Sequence, residues 1–136
     1  MSPKTRTYLY LGTLGLFSLA MVGSGGMDLA QPPPLMEGMR HLGYPAYFVA
    51  ILGFWKLLGV AALLAPRLPR LKEWAYAGFA FDLSGAAVSH LVSGDGVGKA
   101  LVPLFLLAIG LASWALRPPS RRLDPDKDQS RGALHS

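Results

Sequence analysis

The chain has 136 residues, of which 51% are hydrophobic and only 15% are charged, and its mean hydropathy is +0.34. These values lie outside the usual range of soluble domains and within that of membrane proteins. The sequence contains no cysteine, which excludes disulfide bonds, thiolate metal sites and thiol redox chemistry. Any redox role therefore requires a bound cofactor or a partner protein.

Four apolar stretches are long enough to cross a hydrocarbon core of about 30 Å as helices. They span residues 8–26, 45–65, 74–92 and 97–116. A soluble bundle would carry polar residues at helical spacing on its outer faces, and these stretches lack them. The sequence therefore predicts an all-α membrane protein, a four-transmembrane-helix antiparallel bundle formed by residues 1–117. The alternative for residues 8–26 is a cleaved signal peptide that ends in the small residues 22–25.

Three prolines, Pro32 to Pro34, follow the first stretch, so this crossing is predicted to end before them. Apolar residues then recur at positions 35, 36, 39 and 42, with polar residues at 37, 40 and 41. This pattern predicts a short amphipathic interfacial helix between the first two crossings. It would serve as a tether between them or as a lid over the bundle.

Lysines and arginines are distributed unevenly between the two ends of the predicted crossings. Ten fall on the side of the chain termini, and two, Arg40 and Lys99, fall on the other side. Because cytoplasmic segments carry the excess of basic residues, both termini are predicted to be cytoplasmic, in the inner (plasma) membrane. The net charge of +5 follows from this asymmetry and indicates contact with the lipid bilayer, not with nucleic acid. The polar residues 118–136 are predicted to form a disordered cytoplasmic tail.

Two ionisable residues lie deep within neighbouring apolar stretches. Lys56 is nine residues from Ala65, and Asp82 is eight residues from Trp74, so both are expected roughly 12 to 14 Å inside the cytoplasmic end. Charges inside a bilayer are costly and usually have a partner. A hairpin of the two helices would bring Lys56 and Asp82 together, either as a buried ion pair that fixes helix register or as a binding or proton-exchange site.

The third stretch also contains small and polar residues at helical spacing, namely Gly78, Asp82, Gly85, Ala86 and Ser89. This face is predicted to point into the bundle, because lipid would leave the Asp82 carboxylate without a partner.

A second polar group is expected at the outer mouth of the bundle. It consists of His90 together with the ionisable residues Asp28, Glu37, His41 and Asp95. Its spacings match no known ligand pattern, so no metal site is predicted. The sequence also lacks a nucleophile elbow and a dinucleotide-binding loop, which leaves hydrolase and nucleotide chemistry without support.

Three segments carry a resemblance to a known family: LGFWKLLG at 52–59, KEWAYAGF at 72–79 and AAVSH at 86–90. Over residues 8–116 the chain resembles the DoxX-like family of small four-helix bacterial membrane proteins. The resemblance implies a link to membrane oxidoreductase complexes and a quinone-linked role, by analogy with a subunit of a thiosulfate:quinone oxidoreductase. The resemblance indicates five candidate ligand-binding residues, to which it assigns no catalytic role: Lys56, Glu73, Asp82, Ser89 and His90.

Three functions compete at this point. The leading hypothesis is a subunit that binds a quinone or another small lipophilic ligand at Lys56 and Asp82 and is not an enzyme by itself. The second is a proton-coupled small-molecule transporter, which would be a homo-oligomer because four helices enclose little volume. The third is a structural membrane adaptor.

Overall fold

The structure, a computed structural model, describes residues 1–122. Five α-helices account for most of this range: α1 (Pro3–Ala30), α2 (Pro33–His41), α3 (Ala46–Leu64), α4 (Pro69–Val92) and α5 (Val97–Ala115). A short 3-10 turn, Pro119–Arg121, follows. The described residues contain no strand, so the all-α prediction is confirmed there.

α1 is longer at both ends than the sequence indicates. It begins at Pro3, where Ser2 accepts a hydrogen bond from the backbone of Thr5, and it ends at Ala30, before the prolines. Gln31 adopts a left-handed conformation with φ of 52° and closes the helix. The predicted end at residue 26 is therefore wrong by one helical turn, which matters because this last turn contains Asp28.

The four long helices form a closed ring in which each packs against two others. α1 packs against α3 and α5, and α4 packs against the same two helices from the opposite side. The contact between α3 and α4 is the smallest of the four. The predicted hairpin of α3 and α4 is present, and α4 and α5 also pack against each other across a short turn.

The core lies between α1 and α4, across the centre of the ring. Its buried residues are Tyr10, Leu14, Phe17 and Met21 of α1, Val60 and Leu63 of α3, and Tyr76, Phe79 and Leu83 of α4. The rings of Phe17 and Phe79 meet edge to face at 5.2 Å. Gly110 lies beneath Phe17 and Gly59 beneath Phe79, where an added Cβ would come within 2.9 Å and 2.7 Å of the rings. Because α1 supplies four core side chains, a protein cleaved at residues 22–25 would lose them.

The predicted inward face of α4 is not the face that the bundle buries. The buried residues of α4 are Lys72, Tyr76, Phe79, Leu83 and Ala87. Asp82, Ala86 and Ser89 are only half-buried, and Gly78 and Gly85 are exposed. The large side chains make more van der Waals contacts in the bundle than the small ones do, so they occupy its interior and leave the small face of α4 beside α3.

The C-terminal end of α3 and the N-terminal end of α4 are joined through a fully buried lysine. The Lys72 ammonium donates hydrogen bonds to the carbonyls of Ala62, at 2.9 Å, and of Ala65. A cation at a helix C-terminus satisfies carbonyls that have no partner within the helix. Lys72 thereby ties α4 to the end of α3.

The outer surface of the described residues is largely apolar. α1, α3 and α5 are each long and apolar enough to cross a membrane. α4 has 24 residues but does not meet the same criterion, because Asp82, Ser84, Ser89 and His90 lower its hydropathy. The structure thus contains three candidate spans in residues 1–122, one fewer than the sequence predicts.

The start of the predicted tail, residues 118–122, contacts the bundle. The Arg121 guanidinium donates to the Tyr10 hydroxyl at 2.8 Å, and Arg122 donates to the Arg117 carbonyl at 2.5 Å. Residues 118–122 therefore fold back on the bundle because their guanidinium groups find acceptors there. The rest of the tail prediction, residues 123–136, lies outside the described residues.

Candidate functional site

Lys56 lies at the centre of a polar cluster inside the bundle. Its ammonium donates one hydrogen bond to the Asp28 carboxylate at 2.8 Å and another to the Ser24 hydroxyl at 2.9 Å. The Lys56 side chain is 11% exposed and that of Asp28 only 2%. The closest partner of Lys56 is therefore a carboxylate of α1 and not Asp82.

A close approach of two glycines brings α1 and α3 near enough for this contact. A Cβ on Gly53 would lie 2.7 Å from the Gly25 carbonyl oxygen and 2.9 Å from the Asp28 Cβ. A Cβ on Gly25 would lie 3.1 Å from the Lys56 Cβ. Small residues at such a crossing let helix backbones touch. Since Asp28 follows Ser24 by four residues, both side chains project from the same face of α1.

Asp82 lies on the other side of the Lys56 ammonium. Its carboxylate is 3.8 Å from the Lys56 nitrogen, which is an ion-pair distance without a hydrogen bond, and its side chain is 20% exposed. The two charges that the sequence singles out do meet. With all three groups ionised, however, one ammonium faces two carboxylates and the cluster has a formal charge of −1.

A groove between α3 and α4 leads to this cluster. It has a volume of about 630 Å³ and runs from the α3–α4 turn to the level of Lys56 and Asp82. Its walls are almost entirely apolar and include Trp55, Gly59, Ala62, Leu71, Trp74 and Gly78. Trp55 and Trp74 are largely exposed, so the groove opens sideways, toward the lipid if the helices cross a membrane. Its volume falls within the range of small-molecule sites.

The half-buried face of α4 explains why this groove exists. Gly78 has no atom within 4 Å of its ideal Cβ position, so the wall recedes there. On the facing helix, Gly59 and Ala62 are equally small. Gly59 lets the Phe79 ring pack against α3, and Gly78 leaves open space beside it, so the groove forms where α3 and α4 share their small contact.

Glu73, a predicted site residue, lies at the other end of α4 and outside this cluster. Its carboxylate accepts from Arg117 at 2.6 Å and from the Trp114 indole at 3.1 Å. The Arg117 guanidinium also lies over the rings of Trp114 and Tyr76, at 5.3 Å and 5.5 Å from their centroids. These contacts join α4 to the end of α5, and they supply a complete structural reason for Glu73.

Ser89 and His90 lie beyond Asp82, at the opposite end of α4 from Glu73, where α2 meets the bundle. The Ser89 hydroxyl is hydrogen-bonded to Tyr44, while His90 and His41 each contact one oxygen of Asp95, at 2.9 Å and 2.6 Å. The hydrogen bond with His90, followed by that with His41, holds the pKa of Asp95 below its usual range. Within residues 1–122 no group of His, Asp and Glu is arranged to hold a metal ion.

The five predicted site residues thus occupy three separate places. Lys56 and Asp82 share the central cluster, Glu73 lies at one end of the bundle, and Ser89 and His90 lie at the other. Sequence reasoning missed Asp28 and Ser24, and it placed Asp28 at the outer mouth. The signal was present: Met21, Gly25 and Asp28 follow one another at helical spacing, so the buried face of α1 continues to Asp28.

Apolar helices that enclose a polar cluster at mid-length define a helical membrane protein. Residues 13–113 match the family model described as the DoxX-like family, and the chain belongs to that family. The matched range includes Ser24, Asp28, Lys56 and Asp82. The resemblance inferred from the three sequence segments is confirmed. No curated protein and no solved structure matches the chain.

Proposed function

We propose that the protein binds a small lipophilic molecule in the groove between α3 and α4, with the polar end of the ligand at Lys56 and Asp82. A single observation carries this proposal: the apolar groove ends at two charged side chains that are neither fully buried nor fully satisfied. A purely structural ion pair has no need of an adjoining cavity. A quinone has the matching shape, since it combines an apolar body with oxygen atoms at one end. If the ligand is a quinone, the protein serves as a redox-linked membrane subunit.

The proposal includes a topology of four crossings with both termini in the cytoplasm of a plasma-membrane protein. α4 crosses in this arrangement although it is less apolar than its neighbours. At about 1.5 Å per residue its 24 residues span about 36 Å, and its exposed side chains include Trp74, Phe81, Val88 and Leu91. Its polar residues Asp82, Ser89 and His90 lie beside α3 or at the outer end, where protein atoms and lipid headgroups provide polar partners.

This topology gives the ligand a specific depth. Lys56 and Asp82 lie near the middle of their helices, and the groove extends from them toward the cytoplasmic turn. A phospholipid carries its charged headgroup at the membrane surface and would place it far from Lys56. A mostly apolar molecule with one small polar end fits both the depth and the lining.

The test is to purify the protein with its native lipids, extract them and identify them by mass spectrometry. The same extraction is carried out on Gly78→Leu, whose new side chain fills the groove. Its Cβ would have no described atom within 4 Å apart from the chain neighbours and backbone of α4 itself. Gly85→Leu is the matched control, since it adds the same side chain to the same helix at an exposed position outside the groove. We expect one lipophilic compound to recur in the wild type and in Gly85→Leu and to be absent from Gly78→Leu. Equal recovery from all three proteins would refute the proposal and favour the structural adaptor.

The excess carboxylate favours one second candidate, a proton-coupled transporter. Two carboxylates around one ammonium leave a formal charge that one proton neutralises, which suits a site that takes up and releases a proton. Such a protein would assemble as a homo-oligomer to enclose a path. Proton uptake into liposomes, present in the wild type and absent in Asp82→Asn, would identify this function, and its absence in the wild type would remove it.

A further inference from the structure

The cluster around Lys56 also restricts the charge of the ligand. We infer that the groove selects a neutral lipophile that presents one uncharged oxygen, a hydroxyl or a carbonyl, and that it rejects lipophilic anions such as fatty acids. The inference rests on the proposed binding function and adds the ligand's chemical class to it.

The first step is the hydrogen-bonding capacity of Lys56. An ammonium has three N–H donors. Among residues 1–122, two donors have acceptors at hydrogen-bonding distance, Ser24 and Asp28, and both lie on α1, away from the groove. Asp82 on the groove side is at 3.8 Å, too far for a hydrogen bond. One donor is thus left for an oxygen atom at the end of the groove.

The second step is the charge that this oxygen would meet. Lys56 resembles a binding site for anions when it is considered alone. Its charge is already offset by Asp28, which is 2% exposed and hydrogen-bonded to it. Asp82 then adds a carboxylate that lines the groove itself. An anionic head would accept one hydrogen bond from Lys56 while facing this second carboxylate in a medium of low dielectric constant, where like charges repel strongly.

The third step is the fit of a neutral head. A hydroxyl at the end of the groove can lie beside both groups, where it accepts from Lys56 and donates to the Asp82 carboxylate. A carbonyl makes the same contact with Lys56. Either head leaves the Lys56–Asp28 pair intact and adds no charge to the site.

The test uses dodecanol, dodecanoic acid and dodecane, each brominated at the terminal carbon, because bromine quenches tryptophan fluorescence on contact. Trp74 lies eight residues before Asp82 on α4, so a chain whose head reaches Asp82 brings its far end near Trp74, about 12 Å away. The full-length chain carries Trp55→Phe and Trp114→Phe, which leaves Trp74 as the reporter. It is reconstituted in nanodiscs at a pH at which the acid is ionised. The same chain with Gly78→Leu reports quenching by probe dissolved in the lipid, which is subtracted.

We expect the alcohol to quench saturably and the acid and the alkane to bind about tenfold more weakly or worse. Asp82→Asn should strengthen binding of the acid by about tenfold and so reduce the preference for the alcohol, because it removes the carboxylate that the anionic head would face. Glu37→Gln removes one carboxylate at an exposed position of α2 and should leave the preference unchanged.

Two failures have separate meanings. An acid that binds the wild type as tightly as the alcohol, or an alkane that does so, would overturn the inferred ligand class and leave groove binding intact. Quenching that is the same with and without Gly78→Leu for every probe would overturn groove binding itself, and with it the proposed function.

Discussion

Replacing Asp28 by Asn should destabilise the protein far more than replacing Asp82 by Asn. At an effective dielectric constant of about 20, the attraction between the Lys56 and Asp28 charges is about 6 kcal/mol at 2.8 Å, and that between Lys56 and Asp82 is about 4 kcal/mol at 3.8 Å. Asp28 also accepts a hydrogen bond and is almost fully buried. Among residues 1–122 no group donates such a bond to Asp82, and repulsion from Asp28 offsets part of its attraction to Lys56.

The two substitutions should therefore differ in their effect on the free energy of unfolding by more than the two ion-pair distances suggest. We expect Asp28→Asn to lower the free energy of unfolding by about 3 to 5 kcal/mol, since it leaves a buried ammonium without its main counter-ion. Asp82→Asn should change it by only about 1 kcal/mol, because removing the charge loses the attraction to Lys56 and also relieves the repulsion from Asp28. Lys56→Met is combined with each Asn variant in a double-mutant cycle. The coupling energy of Lys56 with Asp28 should exceed that of Lys56 with Asp82 by about 2 kcal/mol.

The assay is reversible unfolding by sodium dodecyl sulfate in mixed micelles, followed by circular dichroism. Isosteric Asn variants keep the volume of each side chain, so the differences report charge and not packing. A loss for Asp82→Asn equal to that for Asp28→Asn would refute this reasoning. Such a result would restore the interpretation that the sequence alone favours, in which Lys56 and Asp82 are the primary pair.

Three further results are expected. Gly53→Ala should cost about 1 to 3 kcal/mol in the same assay, because its Cβ would meet α1 backbone at 2.7 Å, whereas Gly12→Ala, which adds a Cβ in open space, should cost nothing measurable. Since the folded-state pKa of Asp95 is lowered, the stability it contributes is complete above its unfolded pKa of about 3.9 and is lost as pH falls through the folded value. A titration of stability should show this acid-dependent loss in the wild type and not in Asp95→Asn. Reporter tags at both ends of the chain should be found in the cytoplasm and a tag within α2 on the outer side; opposite locations for the two ends would exclude four crossings.

Hydrophobic periodicity was sufficient to predict the helices, since α3 and α5 begin and end within a residue of the predicted positions. It failed at both ends of α1 and at the start of α4. The predicted crossing ended at residue 26, whereas α1 continues to Ala30, just before the prolines that stop a helix. Gly25 does not interrupt the helix, because α3 packs closely against it. α4 extends back to Pro69 because Lys72 finds carbonyl acceptors on α3, a contact that depends on the tertiary structure.

The part of the site that could be predicted from the sequence consists of the charged residues that lie within apolar stretches. Lys56 and Asp82 were found in this way, and they do meet. The sequence could not rank their partners, because that ranking depends on which helices pack closest to α3. α1 approaches α3 through Gly25 and Gly53, and thus Asp28 reaches the ammonium first. Glu73 and His90 were grouped with the site by resemblance, but they lie at opposite ends of α4.

Because the contact between α3 and α4 is small, the stability of the bundle depends on what occupies the groove between them. A molecule that occupies the groove touches both helices and binds only when they are in place, so it shifts the folding equilibrium by mass action. At a free concentration of one hundred times Kd this shift would be about 2.7 kcal/mol, a large share of a typical folding free energy. The lifetime of the folded protein would then rise and fall with the amount of that lipophile in the membrane, and its abundance would follow.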